Sequence, residues 1–286
     1  MPKININGVQ LFYELSGSGE IPVILVHGSW VSHHTWDAVL TRLQEMFRVL
    51  TYDLRGHSQS ERPNGQGSIR DDVADLAALI EYLGLVPAWV VGNSAGASIA
   101  LRLAAEHPKL LRGVVGHEPP LFSLVADDPT IAPLLGDVNG RIGAVVERIA
   151  SSDHAGAAEQ FVETVVLGPG AWGKFPLEVQ KIFTENAPTF LDEAHDPGAF
   201  FFDLTWIKEF PLPVLLTTGD QSPPVFAPVV TKFVDVLPNA KTLSIAGAGH
   251  IPHETHPDAY IEAITAFIHK HSVERSPLGP SAERKL

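Results

Sequence analysis

The most constraining feature of this sequence is a Gly-Asn-Ser-Ala-Gly turn at residues 92–96, because few structures accommodate it in its surroundings. A short apolar, β-prone run at 88–91 precedes the turn, and a helix-like apolar pattern follows it. The pattern predicts a buried strand, a tight turn and a helix. In such a turn, Gly92 and Gly96 avoid clashes where strand and helix meet, and the serine hydroxyl projects from the carboxyl end of the sheet. Ser94 is therefore a candidate nucleophile; the alternative is a turn that serves only packing.

Composition narrows the class of protein. A chain of 286 residues with 45% apolar residues can bury the core of one large α/β domain or of two small ones. A formal net charge of −13 at pH 7 argues against nucleic acid and membrane partners, and the absence of cysteine excludes disulfides and thiolate metal sites. We see no signal peptide and no apolar run of membrane-spanning length, so we expect a cytoplasmic protein.

Strands alternate with helices along most of the chain, which predicts a mainly parallel sheet covered by helices on both faces. Asn7-Gly8 is a turn signal between the first two strands. Predicted strands cover residues 3–6, 9–15, 22–26, 48–52, 88–91, 111–117, 214–218 and 241–245. Predicted helices cover 36–47, the segment from Ser68 to Leu83, the segment after the turn, 226–237 and 257–269.

The middle of the chain has a different residue composition and a different predicted secondary structure. Residues 122–210 contain no convincing strand, many aromatic residues and helical fragments at 142–149, 157–166 and 177–183. We therefore predict a core built from residues 1–120 and 212–271, with a helical lid at 121–211 inserted between them. Residues 272–286 are polar and contain two prolines, which predicts a flexible tail.

A serine hydroxyl needs a base to take its proton. His250 lies in a loop of small residues directly after the last predicted strand, so it shares the edge of a parallel sheet with Ser94. His253 and His256 are close in sequence, but prolines interrupt the spacing and no carboxylate cluster accompanies them. We therefore expect neither a metal site nor a cofactor.

The base in turn needs a carboxylate to orient it, and two residues qualify by position. Glu118 follows the strand at 111–117, and Asp220 follows the strand at 214–218. Acyl transfer also needs hydrogen-bond donors for the developing oxyanion, and the Ala95 N–H at the helix start is one candidate. A second donor is expected from the loop after the strand at 22–26.

Together, four segments resemble the α/β-hydrolase superfamily: Val-His-Gly at 26–28, Asp-Leu-Arg-Gly-His-Ser at 53–58, the turn at 92–96 and Gly-His at 249–250. The chain order of nucleophile, acid and histidine agrees with this family. The resemblance implies the α/β-hydrolase fold, with a mainly parallel central sheet flanked by helices and an inserted helical lid. It also implies that Ser29 N–H, or that of Gly28, is the second oxyanion donor. Trp30 either lines the substrate pocket or anchors its loop.

The chain departs from the family pattern at the acid. Members usually carry Gly-x-x-Asp after the strand at 214–218, but here that position is Ser222. Zearalenone-type lactonases and certain haloalkane dehalogenases carry the acid one strand earlier, and the chain is similar to the lactonases around Glu118 and around His250. We therefore predict the triad Ser94, Glu118 and His250, with Asp220 as the alternative acid.

The resemblance implies a cofactor-free serine hydrolase for an ester or lactone of a moderately apolar small molecule. The alternatives on the same triad are a C–C bond hydrolase and a hydroxynitrile-lyase-like enzyme. A hydrolase-fold receptor for a small molecule is an alternative of a different class, since fold alone does not select a function. The only partner we expect is the small-molecule substrate, and the sequence leaves a homodimer open.

Overall fold

An eight-stranded sheet forms the centre of the computed structural model, which describes residues 2–273. The strands are β1 (Lys3–Ile6), β2 (Val9–Ser16), β3 (Pro22–Val26), β4 (Arg48–Tyr52), β5 (Ala88–Asn93), β6 (Leu111–His117), β7 (Val214–Gly219) and β8 (Ala240–Ile245). Their order across the sheet is β1-β2-β4-β3-β5-β6-β7-β8. The first two strands are antiparallel to their neighbours, and the strands from β4 to β8 pair in parallel. This confirms the predicted fold class.

Ten α-helices connect or follow the strands. They are α1 (Asp37–Met46), α2 (Ile69–Tyr82), α3 (Ala95–Glu106), α4 (Ala132–Ala150), α5 (His154–Phe161), α6 (Leu177–Asn186), α7 (Thr189–His195), α8 (Phe226–Val236), α9 (Pro252–Thr255) and α10 (Pro257–Val273) within the described residues. Local signals set several boundaries. Ser68 and Asp71 form a reciprocal capping box at the start of α2. Asn7 and Gly8 both have positive φ, as a type I′ hairpin turn requires.

The central strands are buried on both faces, which explains why they read as continuous apolar runs. Alternate residues of one strand enter different cores: Ile24 packs on the side of α2, α3 and α8, and Leu25 packs on the side of α1 and α10. Because every parallel strand ends at the same edge, the loops after β3, β5, β6, β7 and β8 converge there. Each candidate site residue follows one of these strands.

Residues 118–213, which the structure describes throughout and which we call the helical insert, contain helices and no strand. The sequence located three of its helical fragments but underestimated α4, which begins ten residues before the predicted start at residue 142. Gly136 and Gly140 weaken the local helical signal, yet packing of Leu135 and Val145 into buried clusters stabilises the whole helix. Our sequence reading also did not resolve α7, a short helix that begins after Pro188.

The last helix is longer than predicted. It continues to Val273 instead of ending at residue 269, so the first residue of the predicted tail, Ser272, is helical. The rest of the predicted tail, from residue 274, lies outside the described residues. Within residues 2–273, no helix combines the length and apolar character needed to cross a membrane.

Candidate active site

Ser94 occupies a sharp turn between β5 and α3. Its backbone dihedrals, φ 55° and ψ −121°, are ones that a residue with a side chain rarely adopts. The turn is held in place because the Ser94 N–H donates to the His117 carbonyl of β6 at 2.8 Å. The Ser94 carbonyl in turn accepts from the Ala97 N–H at 2.9 Å, which starts the helix. The predicted strand–turn–helix is therefore present, with Ser94 at its tip.

The two glycines of the turn allow the backbones to approach each other closely. A Cβ atom on Gly92 would overlap the backbone of Gly96 and Ala97 on the first turn of α3. A Cβ atom on Gly96 would overlap the carbonyl groups of Val26 and His27 at the end of β3. In both cases the overlapping atoms belong to the backbone and cannot move aside as a flexible side chain could. Both positions therefore require glycine for strand and helix to pack this closely.

Replacing Gly96 with alanine is expected to lower the free energy of unfolding by about 2 kcal/mol or more, because α3 must move away from β3 to make room. Gly136→Ala is the matched control. Gly136 lies within α4 with no atom near the position of an added Cβ, so alanine there should be neutral or stabilise the helix by up to about 1 kcal/mol. Chemical denaturation of both variants measures the difference. Equal stabilities would contradict the close approach of α3 and β3.

Glu118 follows β6 directly and is fully buried. One of its carboxylate oxygens, Oε2, lies 2.7 Å from Nδ1 of His250. The other, Oε1, accepts a hydrogen bond from the Gly219 N–H at 2.8 Å. Burial alone would raise the pKa of this carboxyl, but the hydrogen bond with His250 and the nearby imidazoles of His250 and His117 together outweigh burial and lower the pKa below its usual value. Glu118 is therefore an ionised acceptor in contact with the imidazole.

Asp220, the other carboxylate left open by the sequence, is exposed. Its Oδ1 accepts hydrogen bonds from the Gly247 N–H at 2.8 Å and from the Gln221 side chain at 3.1 Å. Asp220 thus ties the loop after β7 to the loop after β8. Of the two carboxylates, the structure brings Glu118 to His250.

His250 lies in the loop after β8 with its ring stacked on Phe226, at 4.8 Å between ring centroids. The Asn93 side chain donates to the His250 carbonyl at 2.9 Å, which ties this loop to the residue before Ser94. Because Nδ1 faces Glu118, the free Nε2 atom is the one available to a substrate or to Ser94. Ser94 and His250 line the same cavity.

This cavity, which we call the nucleophile cavity, is mainly apolar. Its polar lining comprises Ser94, His250, Ser29 and Glu193. The apolar lining comes from the helical insert and from the loop that leads into α8: Pro120, Phe122, Val138, Ile142, Phe161, Val165, Val166, Phe190, Phe200, Pro223, Val225 and Phe226. The composition is typical of a small-molecule site, in which a few polar groups orient an apolar ligand.

The predicted oxyanion donors lie beside Ser94. Ser29 lines the nucleophile cavity, and both Ser29 and Ala95 line an adjoining cavity, which we call the second cavity. Gly28 is so close to Ser94 that a Cβ atom on the glycine would lie 3.1 Å from the serine Cβ. The geometry thus leaves the N–H groups of Ser29 and Gly28 as alternatives for the second oxyanion donor, beside that of Ala95.

Trp30 has positive φ and is fully buried. Its ring stacks on Phe161 at 4.6 Å between centroids and packs on Phe190 at 5.2 Å. Both phenylalanines line the nucleophile cavity, but Trp30 is absent from the part of its lining that the structure describes. Among the two roles left open by the sequence, Trp30 therefore anchors its loop to the insert. The interpretation of Trp30 as a pocket residue does not fit its position behind the wall.

His117, Glu118 and His250 place potential metal ligands within 4.8 Å of one another. The 2.7 Å contact between His250 and Glu118 is a hydrogen bond, and it engages one ligand atom of each residue. His117 Nδ1 is bonded to the Thr217 hydroxyl at 2.9 Å, and burial lowers the pKa of His117 to about 4. We therefore interpret the cluster as a neutral His117 packed against a hydrogen-bonded acid–base pair.

Sequence reasoning missed two polar residues of the insert that contact the loop after β3. Glu193 accepts a hydrogen bond from the Ser29 hydroxyl at 2.6 Å. Asn186, which is buried, donates to the carbonyls of Trp30 and Val31 at 3.1 and 3.0 Å. These contacts join positions more than 150 residues apart, and no local pattern marks either residue.

Comparison with known proteins identifies the family. A family model described as the alpha/beta hydrolase fold matches residues 21–257. The chain is 25% identical to a 2-(acetamidomethylene)succinate hydrolase of Mesorhizobium japonicum over 93% of its length and 94% of the relative. It is 27% identical to a bifunctional esterase/perhydrolase of Acinetobacter calcoaceticus over 92% and 97%. A solved alpha/beta hydrolase of Sphaerobacter thermophilus superposes with a TM-score of 0.75 and 26% identity, over 93% of this chain and 100% of the other. The chain belongs to the alpha/beta hydrolase family.

Proposed function

We propose that the protein is a serine hydrolase that cleaves an ester or lactone of a moderately apolar small molecule. The observation that carries the proposal is the 2.7 Å contact between Glu118 and His250, with the histidine on the same cavity as the strained Ser94. A nucleophile, a base and an oriented carboxylate are the three parts that acyl transfer needs.

The residues act in a fixed order in this proposal. The Ser94 oxygen attacks the carbonyl carbon while His250 accepts the serine proton. Glu118 holds the imidazole in the required tautomer and stabilises its protonated form. The C–O bond to the leaving alcohol then breaks, and His250 gives the proton to that alcohol. His250 then accepts a proton from a water molecule, whose oxygen attacks the acyl carbon; the bond to Ser94 breaks, the acid leaves, and His250 returns the proton to the Ser94 oxygen.

Backbone N–H groups stabilise the negative charge that develops on the carbonyl oxygen. Ala95 lies at the first position of α3, where helix N–H groups are unpaired and the helix dipole favours an anion. Ser29 supplies the second N–H. The apolar lining of the nucleophile cavity suits a moderately apolar acyl or alcohol group.

Two further observations support the substrate class. One relative that matches over nearly the full length of both chains is named as an esterase. The proposed acid, Glu118, follows β6 rather than β7, which is the placement in the lactonases that the sequence resembles. A lactone would open to a hydroxyacyl group that stays attached to Ser94 until water releases it.

A nitrophenyl phosphonate ester tests the proposal, because an activated serine attacks phosphorus and releases one nitrophenol. We expect one label per chain, located by mass spectrometry on the peptide that contains Ser94. The wild type should also turn over short-chain nitrophenyl esters, and denatured protein should not be labelled. A folded protein with no label at Ser94 would contradict the proposal and favour the receptor interpretation, with ligand-induced stabilisation as the next measurement.

A further inference from the structure

The loop after β3, residues 27–31, carries the proposed oxyanion donor, and we call it the oxyanion loop. The helical insert holds it at three points. The ring of Trp30 stacks on Phe161, the amide of Asn186 donates to two of its carbonyls, and the hydroxyl of Ser29 donates to Glu193. Only the last of these contacts involves the donor residue itself.

Glu193 lies where two cavities meet. Glu193, Ser29 and Pro120 border both the nucleophile cavity and the second cavity. Ser94 and His250 line the first cavity, and Ala95 lines the second, so the Ser29–Glu193 pair borders both cavities next to the turn that carries Ser94 and Ala95. Glu193 is the only carboxylate in the described lining of the nucleophile cavity.

We propose that Glu193 is a positioning residue: its carboxyl accepts the Ser29 hydroxyl and so holds the Ser29 backbone N–H in place for the oxyanion. The proposal rests on the proposed function, since an oxyanion donor matters only if acyl transfer occurs. The physical reason is that preorganised donors stabilise a transition state without reorganising during the reaction. A loop free to move would give up part of that stabilisation.

The charge on Glu193 also affects the oxyanion. Burial raises the pKa of Glu193, and the hydrogen bond from Ser29 opposes this effect, while the charge of Asp196 adds to it. Together they raise the pKa of Glu193 to about 7. The neutral carboxyl still accepts from Ser29 through its carbonyl oxygen. Above this pKa the carboxylate places a negative charge beside the developing oxyanion. We therefore expect kcat to fall as the pH rises through about 7.

Other charged groups face Glu193 from several elements. Within the described linings, the second cavity has Asp72 from α2, Asp192 from α7, and Arg55, His57 and Arg62 from the loop after β4, and His250 lies on the nucleophile cavity. Both arginines are already paired, Arg55 with Asp75 at 2.7 Å and Arg62 with Asp192 at 3.0 Å. Burial lowers the pKa of His57 to about 3, so it is neutral near pH 7. Because several titratable groups surround the site, a variant without the Glu193 carboxyl, and not the pKa value alone, tests whether Glu193 causes the fall in kcat.

Three variants and a control test the proposal with a nitrophenyl ester. Glu193→Leu and Ser29→Ala each remove one side of the hydrogen bond, and Ser29→Ala leaves the backbone N–H in place. We expect each to lower kcat roughly 10-fold, with a much smaller change in KM, and the double variant to lose no more than either single variant. Glu178→Gln, an exposed glutamate on α6 of the same insert, should leave kcat unchanged.

Glu193→Gln separates positioning from a purely structural role. Glutamine keeps an acceptor for Ser29 but has no proton to lose, so kcat should match the wild type below pH 6 and should not show the fall near pH 7. Unchanged kcat in both Glu193→Leu and Ser29→Ala, or identical pH profiles for wild type and Glu193→Gln, would overturn the proposal. If the Ser94→Ala variant retained full turnover, the proposed function itself would fail, and this inference with it.

Discussion

Replacing Ser94 with alanine is expected to lower kcat for nitrophenyl esters on the order of 10⁴-fold or more, because the acyl-enzyme can no longer form. The residual rate would come from the oxyanion donors and from substrate binding alone. Alanine keeps the Cβ atom and therefore the strained backbone of the turn, so the fold should be retained. Steady-state kinetics beside circular dichroism and thermal unfolding would measure the loss in folded protein.

Ser98 provides the matched control for this substitution. It is a fully buried serine on the next turn of the same helix, and it does not line the described part of the nucleophile cavity. Ser98→Ala should keep kcat within about 2-fold, since its hydroxyl takes no part in the proposed mechanism. A Ser94→Ala variant as active as Ser98→Ala would rule out Ser94 as the nucleophile.

Replacing Glu118 with glutamine is expected to lower kcat roughly 10³–10⁴-fold, whereas Asp220→Asn should change it by less than about 2-fold. Glutamine has nearly the same shape, so the hydrogen bond from Gly219 can persist. However, its amide can donate to Nδ1 of His250, which moves the imidazole proton to Nε2 and leaves no base for Ser94. Asp220 is exposed and bonded to Gly247, away from the imidazole.

Steady-state kinetics of these two variants decides which carboxylate is the acid. A large loss for Asp220→Asn with little loss for Glu118→Gln would reverse the assignment. Equal and small losses would mean that neither carboxylate orients the base. Thermal unfolding of both variants accompanies the kinetics, because Glu118 is buried and its substitution also removes a charge-assisted hydrogen bond.

The sheet and the turn that carries Ser94 could be predicted because their signals are local. Five consecutive apolar residues at Pro22–Val26 indicate a strand buried on both faces, and the structure buries all five. Asn7-Gly8 and the box formed by Ser68 and Asp71 specify their turn and helix start through neighbouring backbone groups. Such features depend on residues at most a few positions apart, so they can be seen in the sequence.

The helical insert was less predictable because its structure depends on contacts between residues distant in sequence. The first half of α4 contains Gly136 and Gly140, which have low helix propensity, so local signals favoured a later start. The buried face of α4 determines where the helix begins, because Leu135 and Val145 pack against elements distant in sequence. Tertiary contacts of this kind override propensity where the apolar face is long enough.

By itself, the sequence determined the α/β class, the turn that presents Ser94, and the strand end at which His250 lies. Only the tertiary structure decided that Glu118 rather than Asp220 contacts His250, that Trp30 anchors its loop, and that the insert contacts the oxyanion loop. The physical reason is that parallel strands bring their loops to one edge of the sheet but do not determine which side chains make contact there. A contact of 2.7 Å between residues 132 positions apart depends on how each loop folds back and packs, and that is a property of the whole chain.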